Sequence, residues 1–272
     1  MKYAMVDGQR REALPGLLGT CPICGVSMIR KCGTFRVPHW AHPPGSVDHQ
    51  WEPETEWHRN WKGCFAVECQ EVIHHASNGE RHIADVKTQC GLVVEFQNSP
   101  ISEEERRSRE EFYRPMVWVV NGQRLKRDRP RFFGSLRCRI AMSTSRLTWS
   151  VPVERCVLLQ KWAGSRVPVF FDFGRPVLWA LDPRKPKGVA VLTPVYRKNF
   201  LEAVTKGEQI EGISLKVFVR RLSVPQVIPS RSHSWKPQSP GYKRYFGRKR
   251  RAWSRSGISV RRSLGWHDPW KR

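Results

Sequence analysis

Two carboxylates ten residues apart, Asp85 in RHIADVKT and Glu95 in LVVEFQNS, have the spacing to do chemistry together. Both segments alternate apolar and polar residues as half-buried strands do. Ile83, Asp85 and Lys87 therefore share one face, and Val93, Glu95 and Gln97 share one face of the next strand. The turn decides whether those faces coincide. A three-residue loop, residues 89–91 with Gly91 in the left-handed position, pairs Lys87 with Val93, Asp85 with Glu95 and Ile83 with Gln97. A two-residue Cys90-Gly91 turn would instead set Asp85 opposite Phe96, on the wrong face. The longer turn is the expected one. Facing carboxylates repel unless a cation lies between them, so the pair is costly without a metal or a basic partner. Asp85 and Glu95 are accordingly expected as hard oxygen ligands for Mg²⁺ or Mn²⁺, with the Phe96 carbonyl and waters filling other positions. Such a centre suits phosphodiester hydrolysis.

The segment ahead of the hairpin, EPETEWHRNWKGCFA at 52–66, opens with acids and Pro53 and reads as a helix. Glu54, His58 and Lys62 recur every fourth residue on one face, and Trp57, Trp61 and Phe65 form an apolar stripe that would anchor the helix to a core. By spacing alone the polar face is a solvated, salt-bridged stripe; beside a carboxylate hairpin it becomes a candidate part of the same centre. His74, His75 and His82 read as strand histidines rather than ligands. Asp172, an acid in the apolar run VPVFFDFG, ends a strand or sits in a turn and is given no catalytic role.

A second constellation lies near the amino terminus, in CPICGVSMIRKCGTFRVPHWAH. A CxxC turn aims Cys21 and Cys24 at one point, and His39 and His42 can complete a tetrahedral structural Zn²⁺ site; Cys32 and His49 are alternative ligands. Gly25 and Gly33 suit the turns of a zinc ribbon-like hairpin. Four protein ligands leave no place for a reacting water, so the expected role is structural.

The elements that must hold these groups follow from the rest of the chain. Its 272 residues carry 48 Lys and Arg against 24 acids, a net charge of +24, which calls for a polyanionic partner. Residues 226–272 hold thirteen cations against the single acid Asp268, half of that excess. Lys243, Arg244, Arg248, Lys249, Arg250 and Arg251 are interleaved with Tyr242, Tyr245, Phe246 and Trp253. Cations for phosphates and flat rings for bases are what sequence-independent nucleic-acid binding requires. With 39% hydrophobic residues and 12 Trp the rest can build a core, and no apolar run approaches a membrane span. The amino terminus lacks a secretory h-region, so a cytoplasmic protein with reduced thiols is expected.

The expected organisation is α/β: a zinc ribbon-like element at 1–50, a domain with a mixed sheet and flanking helices at 51–122, a basic linker at 123–150, a strand-rich domain at 151–222 and a basic tail at 223–272 that cannot fold alone. Ser102 with Glu105 forms a capping box opening the helix EEERRSREEFY, and PMVWVVN follows as a buried strand. VPVFFDFG, PVLWALD and ISLKVFVRRL suggest strands, and RKNFLEAVTKG a helix.

Helix, three strands bearing D and then ExQ, helix and strand is the order of a restriction-endonuclease-like core. CPxC, HxAH, Glu54-Thr55-x-x-His58-x-x-x-Lys62, RHIADV and VVEFQNSPIS, taken in order, resemble the competence protein CoiA-like family of the PD-(D/E)XK nuclease superfamily, over roughly residues 14–122. The resemblance implies a nuclease-like domain that handles DNA. It implies Glu54 as the first-helix acid, Asp85 and Glu95 as metal ligands, and Gln97 at the position usually held by lysine. Glutamine cannot carry the charge that steadies a phosphorane, so Lys62 or Lys87 must supply it; Lys62 is preferred because it shares a helix face with Glu54 and His58, the latter as proton relay. A non-catalytic DNA-binding or DNA-loading factor retaining the fold is the alternative, favoured by Gln97. An RNA-binding protein would account for charge and zinc but not for the carboxylates.

Overall fold

The computed structural model describes residues 1–46, 54–75, 79, 81–143, 148–182 and 188–206. The basic tail with Lys243, Arg244, Arg248, Lys249, Arg250 and Arg251, the expected strand ISLKVFVRRL, and His49 lie outside the described residues. All described residues fall in one compact unit, within 1–227.

The chain opens with a small antiparallel sheet: β1 (Tyr3–Val6), β2 (Gln9–Glu12), β3 (Gly19–Thr20), β4 (Ser27–Lys31) and β5 (His39–Ala41), in the order β2-β1-β3-β4-β5. Its core is correspondingly small, built from Ala4, Val6, Ala13, Cys21, Met28 and Trp40. Gly19 is required there, since a Cβ would lie 2.9 Å from the Trp40 ring.

The chain continues through α1 (Glu56–Lys62), β6 (Gln70–His75), β7 (Arg81–Lys87), β8 (Val93–Gln97), α2 (Glu103–Phe112), β9 (Met116–Asn121), α3 (Asp128–Arg137), β10 (Ala141–Ser143), β11 (Thr148–Pro152), α4 (Val157–Trp162), β12 (Val169–Asp172), β13 (Val177–Leu181), β14 (Val189–Tyr196) and α5 (Arg197–Lys206). Nine of these strands form one mixed sheet, ordered β10-β11-β14-β13-β12-β9-β8-β7-β6. Its centre is parallel, β8 with β9 and β9 with β12, and the flanks are antiparallel.

Alternation along β9 sorts the two faces. Val117 and Val119 pack with Trp61 and Phe65 of the α1 segment and with Phe200 of α5. Met116, Trp118 and Val120 pack on the opposite side with Phe132 of α3 and Leu158, Leu159 and Trp162 of α4. A strand apolar on both faces needs a sheet neighbour at each edge and a cover on each side.

That requirement corrects the expected domain boundaries. Residues 123–150 are no linker between domains: they supply α3, β10 and the start of β11. The run 151–206 extends the first sheet, because β12 pairs in parallel with β9, Phe170 opposite Val119. α1 is also shorter than the expected 52–66. Thr55 caps it by accepting from the His58 amide, so Glu54 precedes the helix. Among the described residues no helix is long and apolar enough to cross a membrane.

Candidate active site

The β7–β8 hairpin has the three-residue turn. Lys87 pairs with Val93 and Val86 with Val94, Thr88 N–H donates to the Leu92 carbonyl at 2.9 Å, and Gly91 adopts φ 84°. Beyond Val86–Val94 the ladder stops, although β7 continues to pair with β6 and β8 with β9. The carboxylates take the amides left over at this fork. Asp85 N–H donates to Glu95 Oε1 at 3.0 Å, and Phe96 N–H donates to Asp85 Oδ2 at 2.9 Å. Buried peptide groups must find partners, so the fork fixes both side chains.

Cations reach the fork from opposite faces of the sheet. From α1, Lys62 Nζ lies 3.1 Å from Glu54 Oε2, 3.0 Å from Glu71 Oε1 and 3.0 Å from Asp85 Oδ1. From α2, Arg109 Nη1 lies 3.1 Å from Glu95 Oε2 and Nη2 lies 2.8 Å from Glu105. Burial works to lower the Lys62 pKa, but Asp85, Glu71 and Glu54 outweigh it and hold the ammonium well above its ordinary range. Lys62 is thus a fixed cation and no base. Burial also pushes the Glu95 carboxyl up, Asp85 adds to this, and Arg109 only partly opposes it; Glu95 stands at about 7. Glu71 goes the other way: burial would raise it, but Lys62, the terminal amine and the Lys2 and Tyr3 amides bring it to about 2. Glu54 Oε1 is buried and accepts no hydrogen bond among the described residues, with Arg59 Nε 3.9 Å away.

His58 is buried in α1, and both of its ring nitrogens meet polar atoms. Its Nε2 lies 3.1 Å from the Phe96 carbonyl, which can only accept, and its Nδ1 lies 2.8 Å from the Thr55 hydroxyl. Nε2 therefore donates to Phe96, so the ring also positions the strand that carries Glu95, and the Phe96 carbonyl expected as a metal ligand accepts from it. Gln97 is buried and turns its amide to Ser99, donating to that residue's carbonyl at 3.2 Å. It lines a pocket with Asn121, Arg124, Asp128 and Lys161 at the end of β8.

The tryptophan stripe does anchor α1, through a residue given no function from sequence. Asp172, the buried last residue of β12, accepts from Trp57 Nε1 at 3.0 Å and Trp61 Nε1 at 2.8 Å. His82 packs against Phe112 at 4.3 Å between centroids with the rings tilted by 53°, a packed strand histidine. Burial lowers the His74 pKa and the nearby Lys87, His75 and His82 add to it.

The Cys/His element assembles three of its four expected ligands. Cys21 and Cys24 flank the β3–β4 turn, His42 follows β5, and one ligand atom of each lies within 4.8 Å of the others. Ile23 N–H points at Cys21 Sγ at 3.4 Å and Gly25 turns the chain at φ 72°. This group can hold a metal such as zinc. His39 does not join it: it is the first residue of β5, with its Nδ1 2.9 Å from the Val37 carbonyl, whereas His42 follows the other end of that strand.

Two members of the centre escaped the sequence reading. Glu71 is the second residue of β6, and the pairs Gln70–Val86 and Val72–Ala84 bracket it opposite Asp85, a placement that the strand order EVIHH, RHIADV could have suggested. Arg109 gave no signal beyond its place in a charged helix. Around α3, Lys126, Arg127, Arg131, Arg137 and Arg139 are exposed, a basic surface apart from the tail. No protein-family model matches the chain, and neither a curated protein nor a solved structure does.

Proposed function

We propose that the protein is a metal-dependent DNA nuclease of the restriction-endonuclease-like type, similar to CoiA-like proteins. The observation that carries this reading is the fork: Glu95 accepts the Asp85 amide and Asp85 accepts the Phe96 amide, while Lys62 bridges Asp85 to Glu54 at 3.0 and 3.1 Å. The donor set suits Mg²⁺ or Mn²⁺. Its ligands are hard carboxylate oxygens, Glu54 Oε1 is buried and accepts no hydrogen bond among the described residues, and burial first and Asp85 second push the Glu95 carboxyl up to about 7, a cost that a cation between the two carboxylates would relieve. Asp85 and Glu95 would hold the ion, which supplies Lewis acidity toward a phosphodiester.

The chain's own groups divide the remaining work. Lys62, a permanent cation, faces the charge that develops on the phosphorane and takes the part that Gln97 cannot. His58 fixes the Phe96 peptide and so the direction of Glu95. DNA is the partner that the +24 charge and the aromatic-interleaved tail suit. Zinc at Cys21, Cys24 and His42 would brace the small amino-terminal sheet.

One observation favours the alternative of a DNA-binding or loading factor without catalysis: each oxygen of Asp85 and Glu95 already meets a protein donor. Incubating plasmid and single-stranded DNA with the protein and Mg²⁺ or Mn²⁺ separates the two. Cutting that is lost in Asp85→Asn, with DNA binding kept, is the expected result; tight binding without cutting by the wild-type protein would replace the nuclease with the loading factor.

A further inference from the structure

Glu71 is the one acid of the centre whose backbone is unusual: its φ is 47°, a left-handed conformation that glutamate rarely adopts. Such a backbone persists only where its surroundings over-determine it, and such residues cluster at functional sites. Here the surroundings come from two directions. Glu71 Oε1 accepts from Lys62 Nζ at 3.0 Å and from the Lys2 amide at 2.7 Å, and Oε2 accepts from the Tyr3 amide at 3.0 Å. The carboxylate is thus shared between the lysine of the centre and the first strand of the small sheet.

That strand leads directly to the Cys/His element. Met5 of β1 pairs with Thr20, the residue before Cys21, and Cys21 is buried in the same core as Ala4 and Val6. Neighbouring contacts brace the junction. Gln70 Oε1 accepts from Lys2 Nζ at 2.9 Å and from the Tyr3 hydroxyl at 3.2 Å, and Arg59 of α1 pairs with Glu12 of β2 at 2.9 Å. The sheet itself has strands of two to five residues and a core of a few side chains, so it depends on a further staple, which Cys21, Cys24 and His42 can provide with a metal.

We propose that Glu71 is a positioning residue that holds Lys62 against Asp85 and ties it, through the Lys2 and Tyr3 amides, to the Cys21–Cys24–His42 element, so that metal loading of that element sets the order of the catalytic centre. Without the metal, β1 loosens and its two amides leave the carboxylate. The Glu71 backbone then relaxes to the extended region that its neighbours in β6 occupy, and the carboxylate swings away from Lys62. The element is therefore part of the centre's scaffold and not a separate binding module. The proposal rests on the nuclease reading only in its kinetic arm.

The test is hydrogen exchange of the full chain, zinc-loaded and zinc-stripped, in the wild type and in Glu71→Gln. Stripping the wild type is expected to speed exchange by about tenfold both in β1 and in the α1 amides around Lys62, the size of an ordinary coupling between sites. Glu71→Gln should produce the α1 change with zinc still bound, and stripping this variant should add nothing further there. Unchanged exchange in α1 on stripping, or effects of stripping and substitution that simply add, overturns the proposal. If Glu71→Gln does not fold, Lys2→Pro, which removes one amide donor from the other side, must show the same α1 response. In the kinetic arm Glu71→Gln lowers kcat about tenfold with KM for DNA unchanged, and Glu71→Asp recovers part of it. A wild-type protein that cuts no DNA refutes the nuclease and leaves the exchange arms to decide the coupling.

Discussion

Glu95→Gln should make the protein more stable at alkaline pH while abolishing cleavage. The folded carboxyl stands at about 7, against an ordinary value of 4.5, because burial and Asp85 outweigh Arg109. Below 4.5 the side chain is protonated in both folded and unfolded chains and contributes no pH dependence. Between 4.5 and 7 the unfolded chain releases its proton while the folded one keeps it, so stability falls as pH rises. Above 7 the cost is complete, about 3 kcal/mol for the ionised side chain at its 2% exposure. Glutamine mimics the protonated acid: its oxygen still accepts the Asp85 amide, and Arg109 keeps Glu105. The variant should match the wild type at pH 4 and exceed it by up to about 3 kcal/mol at pH 8, or about 6–12 °C in Tm for a domain of this size. Urea and thermal unfolding across pH 4–8, without added Mg²⁺ or Mn²⁺, measure this. A variant no more stable at pH 8, or a difference independent of pH, would refute the assignment of Glu95 as a carboxylate buried at the fold's expense.

Other consequences are as specific. His42→Ala should lose bound zinc in native mass spectrometry while His39→Ala retains it, since of these two His42 is the one that lies with Cys21 and Cys24; the reverse result would contradict the placement of β5. Asp172→Ala leaves the Trp57 and Trp61 indoles without their acceptor and should cost about 2–4 kcal/mol in urea unfolding, with a change in tryptophan fluorescence. Deleting residues 226–272 should reduce the slope of log affinity against log salt by about 5 if roughly half of the cations there each neutralise one phosphate; an unchanged slope assigns binding to other surfaces, such as the cations around α3.

Much of the centre was legible because it depends on short-range rules. Loop length, Gly91 and strict alternation are local, and together they placed Lys87 opposite Val93 and brought Asp85 beside Glu95. The Ser102 cap of α2, which accepts the Glu105 amide at 3.0 Å, is local in the same way. Lys62 was recovered because a helix repeats every fourth residue, and Glu54 lies 3.1 Å from it even though the helix begins after Glu54. The CxxC turn was likewise readable, whereas His39 was not separable from His42 by spacing, since the two lie at opposite ends of one short strand and only the fold decides which end meets the cysteines.

Composition and periodicity by themselves determined that this chain has a core, which of its segments are strands or helices near the centre, and that it carries charge suited to a polyanion. Tertiary structure alone decided that β12 pairs with β9 and so merges two expected domains into one sheet, because strand partners are chosen by burial across the whole fold and not by neighbours in sequence. It alone placed Arg109 on the far side of the fork from Lys62 and set Asp172 beneath two tryptophans 111 and 115 residues away. Glu71 is the clearest case. Its left-handed backbone contradicts the local preference of glutamate and is accompanied by side-chain contacts with the Lys2 and Tyr3 amides and with Lys62, partners that meet it only through the fold.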